Sequence, residues 1–362
     1  MHLCFVLESA NLAFSGSPLT GGSELQVRFI AEALAKSGHD ISVACVQPFR
    51  SQGVHWVSLT GLPGTLRKTR PDAVVATIAS RTTLRTALCC RVLGIPFVYR
   101  LAHDVEAELR TNRNPGGNVL ERVAFEAMLR LLTHRIWCQH EGQRTKLERR
   151  GFGGKLFVFR NVFPMEQARA AGKRTVLWVG RNVSWKRPEL FVELAFLLPA
   201  RRCVMVLAGA HAELRRGCPP NLTLLDGVPF ERTATLFREA RVFVNTSLHE
   251  GFPNTFIQAA MARTPIVSLG VDPERLFATF GHGVTTNSPD EAARIIEALF
   301  SDRLRFAQMS TSAARYAKLH DIGHVHELPG LLLSGEDSKT LKGSPAPALQ
   351  SCETQRCHPR LQ

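Results

Sequence analysis

The sequence contains little of what marks a zinc protein, a disulfide-rich secreted protein or a membrane-spanning protein. Its nine cysteines are odd in number, most lie in apolar segments, and none forms a C-x-x-C pair. No apolar run is long enough to span a bilayer. Met1 leads straight into the apolar segment Leu3 to Leu7, so we expect no signal peptide. These absences predict a protein of the reducing cytoplasm without a metal site.

Acidic residues and tyrosines are also scarce. The chain has 45 Lys and Arg against 31 Asp and Glu, a net charge of +14, and two tyrosines. An excess of positive charge favours acidic partners such as nucleotide diphosphates, lipid-linked phosphates, anionic membranes or nucleic acid. Nucleic-acid binders use a basic face interleaved with aromatic side chains, and these dispersed arginines do not supply one. We therefore expect no nucleic-acid partner.

Strand and helix patterns alternate along the chain and then restart, which is typical of two doubly wound parallel sheets. The length of 362 residues is sufficient for two domains. Strands are predicted over 3–7, 41–46, 73–78, 97–101, 135–139 and 156–159 in the first half, and over 176–180, 203–207, 222–224, 242–245 and 266–269 in the second.

The segment from Asn161 to Arg174 has the composition of an interdomain linker. We predict a first domain over 1–164 and a second over 165–333, whose last helix could return to the first domain. Residues 334–362 are rich in Ser, Pro, Gly, Lys and Gln with little apolar content, so disorder is predicted there.

The most informative stretch runs from Val242 to Gln258, where an apolar strand leads through a short turn into a helix. A strand that stops at a helix N-terminus makes an anion site, because the first backbone N–H groups have no internal partner. Gly251 would let a ligand approach the main chain, and Asn254 or Thr255 could cap the helix. Glu250 could accept hydrogen bonds from sugar hydroxyls. The mixture predicts a nucleotide-sugar site, with an ordinary strand-to-helix turn as the alternative.

Further candidates follow other predicted strands, at the edge where open parallel sheets bind ligands. Arg181 offers a fork of donors suited to phosphate oxygens, and Lys186 offers a compact charge. The alternative is a surface loop with solvated cations. Gly21 and Gly22 precede the first long helix and permit close approach of a pyrophosphate or an acceptor. Since their segment is not G-x-G-x-x-G, NAD is disfavoured.

His249-Glu250-Gly251-Phe252-Pro253-Asn254-Thr255, followed by Gln258, resembles the signature of glycosyltransferase family 4. That signature has a glutamate, seven residues and a second glutamate, whose place is taken here by Gln258. The resemblance implies that Glu250 contacts the transferred sugar, that the backbone of Gly251, Phe252, Pro253, Asn254 and Thr255 contacts sugar and phosphate, and that Gln258 meets the ribose. An amide there loses charge assistance worth about 1 to 2 kcal/mol.

The segment from Gly180 to Pro188 is similar to the family's Gly-Arg, loop, Lys segment, which implies that Arg181 and Lys186 bind the donor phosphates. The resemblance also implies that His103, after the strand at 97–101, faces the transferred sugar. It further implies a GT-B fold, with two Rossmann-like domains facing a cleft, the donor in the second domain and the acceptor in the first. Retention at the anomeric carbon, no metal and no cofactor beyond the nucleotide-sugar substrate are implied as well.

These observations predict a retaining glycosyltransferase with Glu250, His103, Arg181 and Lys186 as its catalytic residues. It would transfer a sugar from a nucleotide-diphosphate sugar to a saccharide or lipid-linked acceptor, in polysaccharide or glycoconjugate biosynthesis, with peripheral contact to an anionic membrane at its cytoplasmic face. A nucleotide-sugar epimerase of the same fold remains an alternative within enzymes. Outside them, the alternative is a catalytically silent binding protein, for which Gln258 is the direct hint.

Overall fold

Two parallel β-sheets organise the protein. The structure, a computed structural model, describes residues 1–17, 19–110, 118–165, 172–209 and 212–334. The first sheet has seven strands in the order β3-β2-β1-β4-β5-β6-β7, and the second has six in the order β10-β9-β8-β11-β12-β13. All neighbouring strands pair in parallel. In both sheets the strand order reverses beside the first strand, which creates the switch point typical of doubly wound folds.

The first sheet contains β1 (His2–Val6), β2 (Asp40–Cys45), β3 (His55–Ser58), β4 (Ala73–Thr77), β5 (Phe97–Arg100), β6 (Arg135–Cys138) and β7 (Leu156–Val158). Its helices are α1 (Asn11–Phe14), α2 (Gly22–Lys36), α3 (Leu62–Thr69), α4 (Arg81–Leu93), α5 (Val119–Ala127) and α6 (Glu141–Glu148). A π-helical turn, Met128–Leu132, continues α5.

The second sheet contains β8 (Thr175–Arg181), β9 (Arg202–Ala208), β10 (Leu222–Asp226), β11 (Ala240–Asn245), β12 (Ile266–Leu269) and β13 (Gly283–Thr286). Its helices are α7 (Pro188–Leu197), α8 (Ala212–Arg216), α9 (Phe230–Glu239), α10 (Asn254–Met261), α11 (Leu276–Phe280), α12 (Pro289–Ser301) and α13 (Arg303–Ala317), and α14 (Leu328–Leu333) ends the described chain. Among the described residues, no helix combines the length and the apolar character needed to cross a membrane.

The strands are apolar on both sides because helices cover both faces of each sheet. Successive residues of β1 illustrate the alternation. Cys4 and Val6 pack in one cluster with α3, α4 and α5, whereas Leu3 and Phe5 pack in another with α2 and α14. The second sheet likewise has a cluster on each face. Leu25 and Phe29 of α2 belong to one of these, so the helix that opens the first half also packs against the second.

The chain crosses between the halves twice, and the two crossings lie side by side. The N–H of Phe163 donates to the carbonyl of His320 at 2.7 Å, and the N–H of Ile322 donates to the carbonyl of Phe163 at 2.9 Å. After the second crossing, α14 packs in the core of the first sheet. The boundaries proposed at 164 and 333 stay predictions, and the predicted disorder of 334–362 concerns residues that, apart from Ser334, lie outside the described part.

The α/β class and the two doubly wound parallel sheets are confirmed, and each strand predicted above is present within one to two residues. The sequence pattern missed β3 and β13. Both missed strands have four residues and lie at sheet edges. An edge strand pairs on one side only, so it needs no long apolar run and gives a weak signal.

Candidate active site

A cleft of about 360 Å³ lies between the two halves and is lined by both. The twelve residues predicted from the sequence all line it: Gly21, Gly22, His103, Arg181, Lys186, Glu250, Gly251, Phe252, Pro253, Asn254, Thr255 and Gln258. They lie at or after the carboxyl ends of β5, β8 and β11, at the start of α2, or in the first two turns of α10. The parallel topology of both sheets therefore brings these separate segments together.

The N-terminus of α10 opens into the cleft without a side-chain cap. Pro253 occupies the N-cap position with an extended backbone, and no side chain accepts a hydrogen bond from the first N–H groups. The expectation that Asn254 or Thr255 caps the helix is therefore wrong. Asn254 uses its side chain to contact Gly22 and Asn161 of the first half. The uncapped N–H groups and the positive end of the helix dipole remain available to an anion.

Gly251 is required for a reason that the sequence did not reveal. A Cβ at this position would lie 2.7 Å from the carbonyl oxygen of Ala102 and 3.0 Å from the Cα of His103. Gly251 therefore leaves space for the main chain of Ala102 and His103 in the other half, and not only for a ligand. The turn after β11 and the turn after β5 meet here across the cleft.

Lys186 and Glu250 form an ion pair in the wall of the cleft. The Nζ of Lys186 donates to the Oε1 of Glu250, and the Oγ of Ser247 donates to the same oxygen at 2.6 Å. Glu250 is thereby held from two sides, and Lys186 stands at the end of a 3-10 turn, Ser184–Lys186. The pair places one positive and one negative group side by side at the carboxyl edge of the second sheet.

Arg181, the last residue of β8, and Arg187, six residues later, differ in role. Arg187 donates from Nε to the carbonyl of Thr246 at 2.6 Å and from Nη2 to the carbonyl of Leu269 at 2.7 Å. Its guanidinium therefore ties three loops together. Arg181 is exposed, lines the cleft and makes no side-chain hydrogen bond or ion pair to another described residue. Arg181 is the guanidinium that a ligand can use.

His103 follows the strand β5 and faces the charged groups of the other half. Burial lowers its pKa, the carboxylate of Glu250 acts against burial, and the charges of Lys186 and Arg181 act with it. The imidazole is therefore neutral at neutral pH. A neutral imidazole carries one donor and one acceptor, which suits a pair of sugar hydroxyls.

Gly21 and Gly22 begin α2 at the opposite wall. Gly21 is the N-cap residue, and a Cβ there would lie 2.6 Å from the Oε2 of Glu24. A Cβ at Gly22 would lie 2.7 Å from the Nδ2 of Asn254. The space beside the two glycines is occupied by the side chains of Glu24 and Asn254. Less room is therefore left there for a ligand than we expected from the sequence.

Gln258 lies one helical turn after Asn254 on α10, is 9% exposed, and lines the cleft. Several lining residues were not predicted: Gly227, Val228, Phe230 and Thr233, which follow β10, and Glu24 and Asn161 of the first half. The rule that ligands bind beyond the carboxyl ends of parallel strands would have found the segment after β10.

Two Rossmann-like halves with a cleft between their carboxyl edges define the GT-B class of α/β proteins. Residues 173–302 match the family model described as glycosyl transferases group 1. This match covers the strands and helices that carry Arg181, Lys186, Glu250 and Gln258. It confirms the resemblance found in the sequence: the chain is similar to the glycosyltransferases of family 4.

Solved structures agree with this fold. HepE from Anabaena in complex with UDP-glucose superposes with a TM-score of 0.72 at 15% identity, over 93% of this chain and 100% of that chain. Sucrose-phosphate synthase from Thermosynechococcus elongatus gives 0.70 at 14% identity, over 92% and 98%. A glycosyltransferase from Rickettsia africae gives 0.69 at 12% identity, over 91% and 97%. Identities this low concern the fold alone. No curated protein sequence matches the chain significantly.

Proposed function

We propose that the protein is a retaining, metal-independent glycosyltransferase. It transfers a hexose from a nucleotide-diphosphate sugar to a saccharide or lipid-linked acceptor. The observation that carries the proposal is the convergence in one cleft of Arg181, the Lys186–Glu250 pair and the uncapped N-terminus of α10. The group 1 glycosyl transferase model, which spans these residues, supports the transfer of sugars. The UDP-glucose bound to the similarly folded HepE supports a nucleotide sugar as the donor.

The diphosphate of the donor would lie against the first turn of α10, between Arg181 and Lys186. Both cations line the cleft, and the N–H groups of Gly251 and of the first turn of α10 belong to its wall. Lys186 would exchange part of its contact with Glu250 for a phosphate oxygen, which frees the carboxylate to accept hydrogen bonds from sugar hydroxyls. Gln258 would meet the ribose, and the apolar side chains of Val228 and Phe230 could flank the base.

In the transfer, the bond between the anomeric carbon and the phosphate oxygen breaks, and its electron pair leaves with the diphosphate. The acceptor hydroxyl oxygen then bonds to the anomeric carbon on the same face, and its proton passes to the departing phosphate. Arg181, Lys186 and the helix N-terminus stabilise the developing negative charge. His103, neutral and close to Glu250, would position the sugar. Retention and metal independence follow from the family resemblance.

The first experiment is calorimetric titration with UDP, GDP and ADP in the absence of divalent metal. We expect one nucleotide to bind the wild type, and Arg181→Ala to weaken it about 10- to 100-fold, since a charge-assisted phosphate contact is lost. Arg294→Ala, an exposed arginine on α12, is the matched control and should bind like the wild type. Failure of all three nucleotides to bind would favour the silent binding protein.

A second experiment distinguishes a glycosyltransferase from a nucleotide-sugar epimerase. Incubation with the matching nucleotide sugar and a saccharide acceptor should give a glycoside of the same anomeric configuration as the donor, with or without EDTA. Isomerisation of the donor sugar in the absence of any acceptor would instead support an epimerase. An inverted product, or loss of activity with EDTA, would overturn the retaining or the metal-independent part of the proposal.

We also propose contact with an anionic membrane through the helices α3, α4 and α5, which cover one face of the first sheet. Exposed apolar side chains line this layer: Val119, Leu120 and Val123 on α5, and Leu88 and Val92 on α4. Together with the π-helical turn after α5, these helices carry seven Lys and Arg against two Glu. An apolar and basic surface suits an anionic bilayer, and the enzyme would work at the cytoplasmic face of the membrane.

Flotation with vesicles tests the membrane contact. We expect binding to vesicles that contain phosphatidylglycerol and weaker binding to phosphatidylcholine alone. Leu120→Glu combined with Val123→Glu should abolish it. Leu304→Glu, which alters an equally exposed leucine on α13 of the second half, is the matched control. Equal flotation of both variants would reject this surface.

A further inference from the structure

The side chain of Asn254 crosses the cleft and contacts the first half at two points. Its Nδ2 donates to the carbonyl of Gly22 at 3.0 Å, and its Oδ1 accepts from the Nδ2 of Asn161 at 2.8 Å. Gly22 is the first residue of α2, and Asn161 precedes the first crossing between the halves. A residue at the start of the proposed phosphate-binding helix therefore holds the acceptor-side wall directly.

Asn161 is itself fixed on two sides. Its Oδ1 accepts from the Nη2 of Arg100 at 2.6 Å, and its carbonyl accepts from the Nδ1 of His320 at 2.7 Å. His320 belongs to the second crossing. Asn161 is 3% exposed, so water does not compete for these bonds. Asn161 thus connects the core of the first sheet and α10 through its side chain, and the second crossing through its carbonyl.

The direction of this hydrogen-bond chain is determined at its two ends. Arg100 can only donate, so the oxygen of Asn161 must face it and the NH₂ group must face Asn254. The Gly22 carbonyl can only accept, so the NH₂ group of Asn254 must face it. Every donor in the chain meets an acceptor, and a flip of either amide would bring like groups together.

Arg100 is a rigid anchor for the chain. It ends β5, is 3% exposed, and its guanidinium lies 5.2 Å from the centre of the Trp137 ring. Burial lowers its pKa to about 10, with the charge of Glu106 acting against burial, so it stays cationic at neutral pH. The hydrogen bond from Arg100 to Asn161 is therefore charge-assisted and stronger than a neutral one.

We infer that Asn161 and Asn254 form an amide latch that sets the position of α10 against the Gly21–Gly22 turn. Because the side chain of Asn254 bonds across the cleft, the first N–H groups of α10 stay free for the donor. The latch rests on the proposed function: it fixes the distance between the phosphate-binding helix and the acceptor-side wall. Asn161 and Asn254 act as positioning residues for the transfer.

If the latch positions the walls, its loss should lower turnover but leave nucleotide affinity nearly unchanged. The proposed contacts to the nucleotide come from the second half, so Asn161→Ala should keep the nucleotide affinity of the wild type within about threefold. Without the latch, the acceptor-side wall would shift relative to α10. A displacement of about 1 Å would lower turnover about 10- to 100-fold. Asn161→Ala and Asn254→Ala combined should lose no more than the worse single variant, because each breaks the same chain.

Small-angle X-ray scattering tests the latch without any activity. We expect a larger radius of gyration for Asn161→Ala and Asn254→Ala, while the exposed Asn287→Ala, on the second half, matches the wild type. Asn254→Asp keeps the volume and the contact to Asn161 but loses the donor for Gly22, so it should show the same change in milder form. This variant guards against a misfolded alanine variant.

The scattering and the kinetics can fail separately. Unchanged radii in all latch variants, or additive losses of turnover in the double variant, would overturn the latch. If the wild type bound no nucleotide but the radii changed as expected, the latch would stand and the proposed function would fall.

Discussion

The two walls of the cleft differ in charge. The second-half wall presents Arg181, the Lys186–Glu250 pair and the positive end of α10. Among the described lining residues of the first-half wall, the charged ones are Glu24 and Arg100, and both are held by neighbours, through Ser9 and Asn161. One wall therefore suits a charged ligand that must be neutralised, and the other suits a neutral ligand recognised by hydroxyl contacts and shape.

The contrast predicts that charge changes on the second-half wall have the largest effect. Lys186→Ala should lower turnover about 100- to 1,000-fold, because it removes a cation that meets negative charge developing in the transition state. Steady-state kinetics with the matching donor measures it. Lys318→Ala, an exposed lysine of the same half, is the control. Wild-type turnover in Lys186→Ala would contradict the phosphate assignment.

Besides the amide latch, a contact made by charged side chains joins the two halves. Glu274 follows β12, and its Oε2 accepts from the Nη1 of Arg160 at 3.1 Å. Its Oε1 accepts from the N–H of Gly142 at 3.0 Å and lies 3.6 Å from the Nδ1 of His140. The other nitrogen of His140 lies 2.8 Å from Asp104. This cluster joins the halves by ion pairs, whereas the amide latch joins them by neutral side chains.

The ionic contact predicts a pH dependence that the amide latch lacks. Burial acts to lower the pKa of His140, but its contacts with Asp104 and Glu274 outweigh burial and raise it to about 9. A raised pKa means that the folded state binds the proton more tightly. The raised pKa of His140 contributes up to about 3 kcal/mol to the free energy of unfolding. This contribution is complete below pH 6.5, the ordinary pKa of histidine, and is lost as the pH rises through 9.

Urea unfolding of the wild type and Glu274→Gln between pH 2 and 10 measures this contribution. The excess stability of the wild type should shrink as the pH rises. Burial acts to raise the pKa of Glu274, but His140 and Arg160 lower it to about 2, so the excess should also shrink as the pH falls from about 4.5 toward 2. A constant difference across this range would contradict the ionic contact.

A substitution at Gly251 tests the close contact between the two walls at Gly251 and Ala102. Gly251→Ala would place a Cβ 2.7 Å from the Ala102 carbonyl, so one wall must shift. We expect a loss of about 1 to 3 kcal/mol in the free energy of unfolding. Gly64→Ala is the matched control, because no atom lies within 4 Å of a Cβ there, and alanine in the helix α3 should stabilise slightly. Equal stability of the two variants would show that the walls separate freely.

The second wall could be predicted from the sequence because its chemistry is local. Arg181, Lys186 and the turn from Glu250 to Thr255 each follow one strand, so chain order and the rule of strand ends place them together. The first wall could be predicted only in part: Gly21, Gly22 and His103 line the cleft as expected, but the role of Asn161 was not found. Asn161 gains its role from Arg100 and Asn254, which lie 61 and 93 residues away. The reason for Gly251 is likewise a tertiary contact with Ala102.

The smallest effect is expected at Gln258, where the second-half wall carries an amide in place of the second glutamate of the signature that this segment resembles. Gln258→Glu would add charge assistance to hydrogen bonds with ribose hydroxyls, which should tighten nucleotide binding by up to about tenfold. Turnover should change less than threefold, because ribose contacts are the same in the ground and transition states. Calorimetry and steady-state kinetics, with the exposed Gln308→Glu on α13 as the control, measure both.

A weaker nucleotide affinity in Gln258→Glu would place this side chain nearer to the diphosphate than to the ribose, because a carboxylate there repels the phosphates. The charged wall would then extend along α10 by one more turn, and the amide would be needed to keep its positive potential. An unchanged affinity would remove Gln258 from the donor contacts and leave the contrast between the walls to Arg181, Lys186 and Glu250 alone.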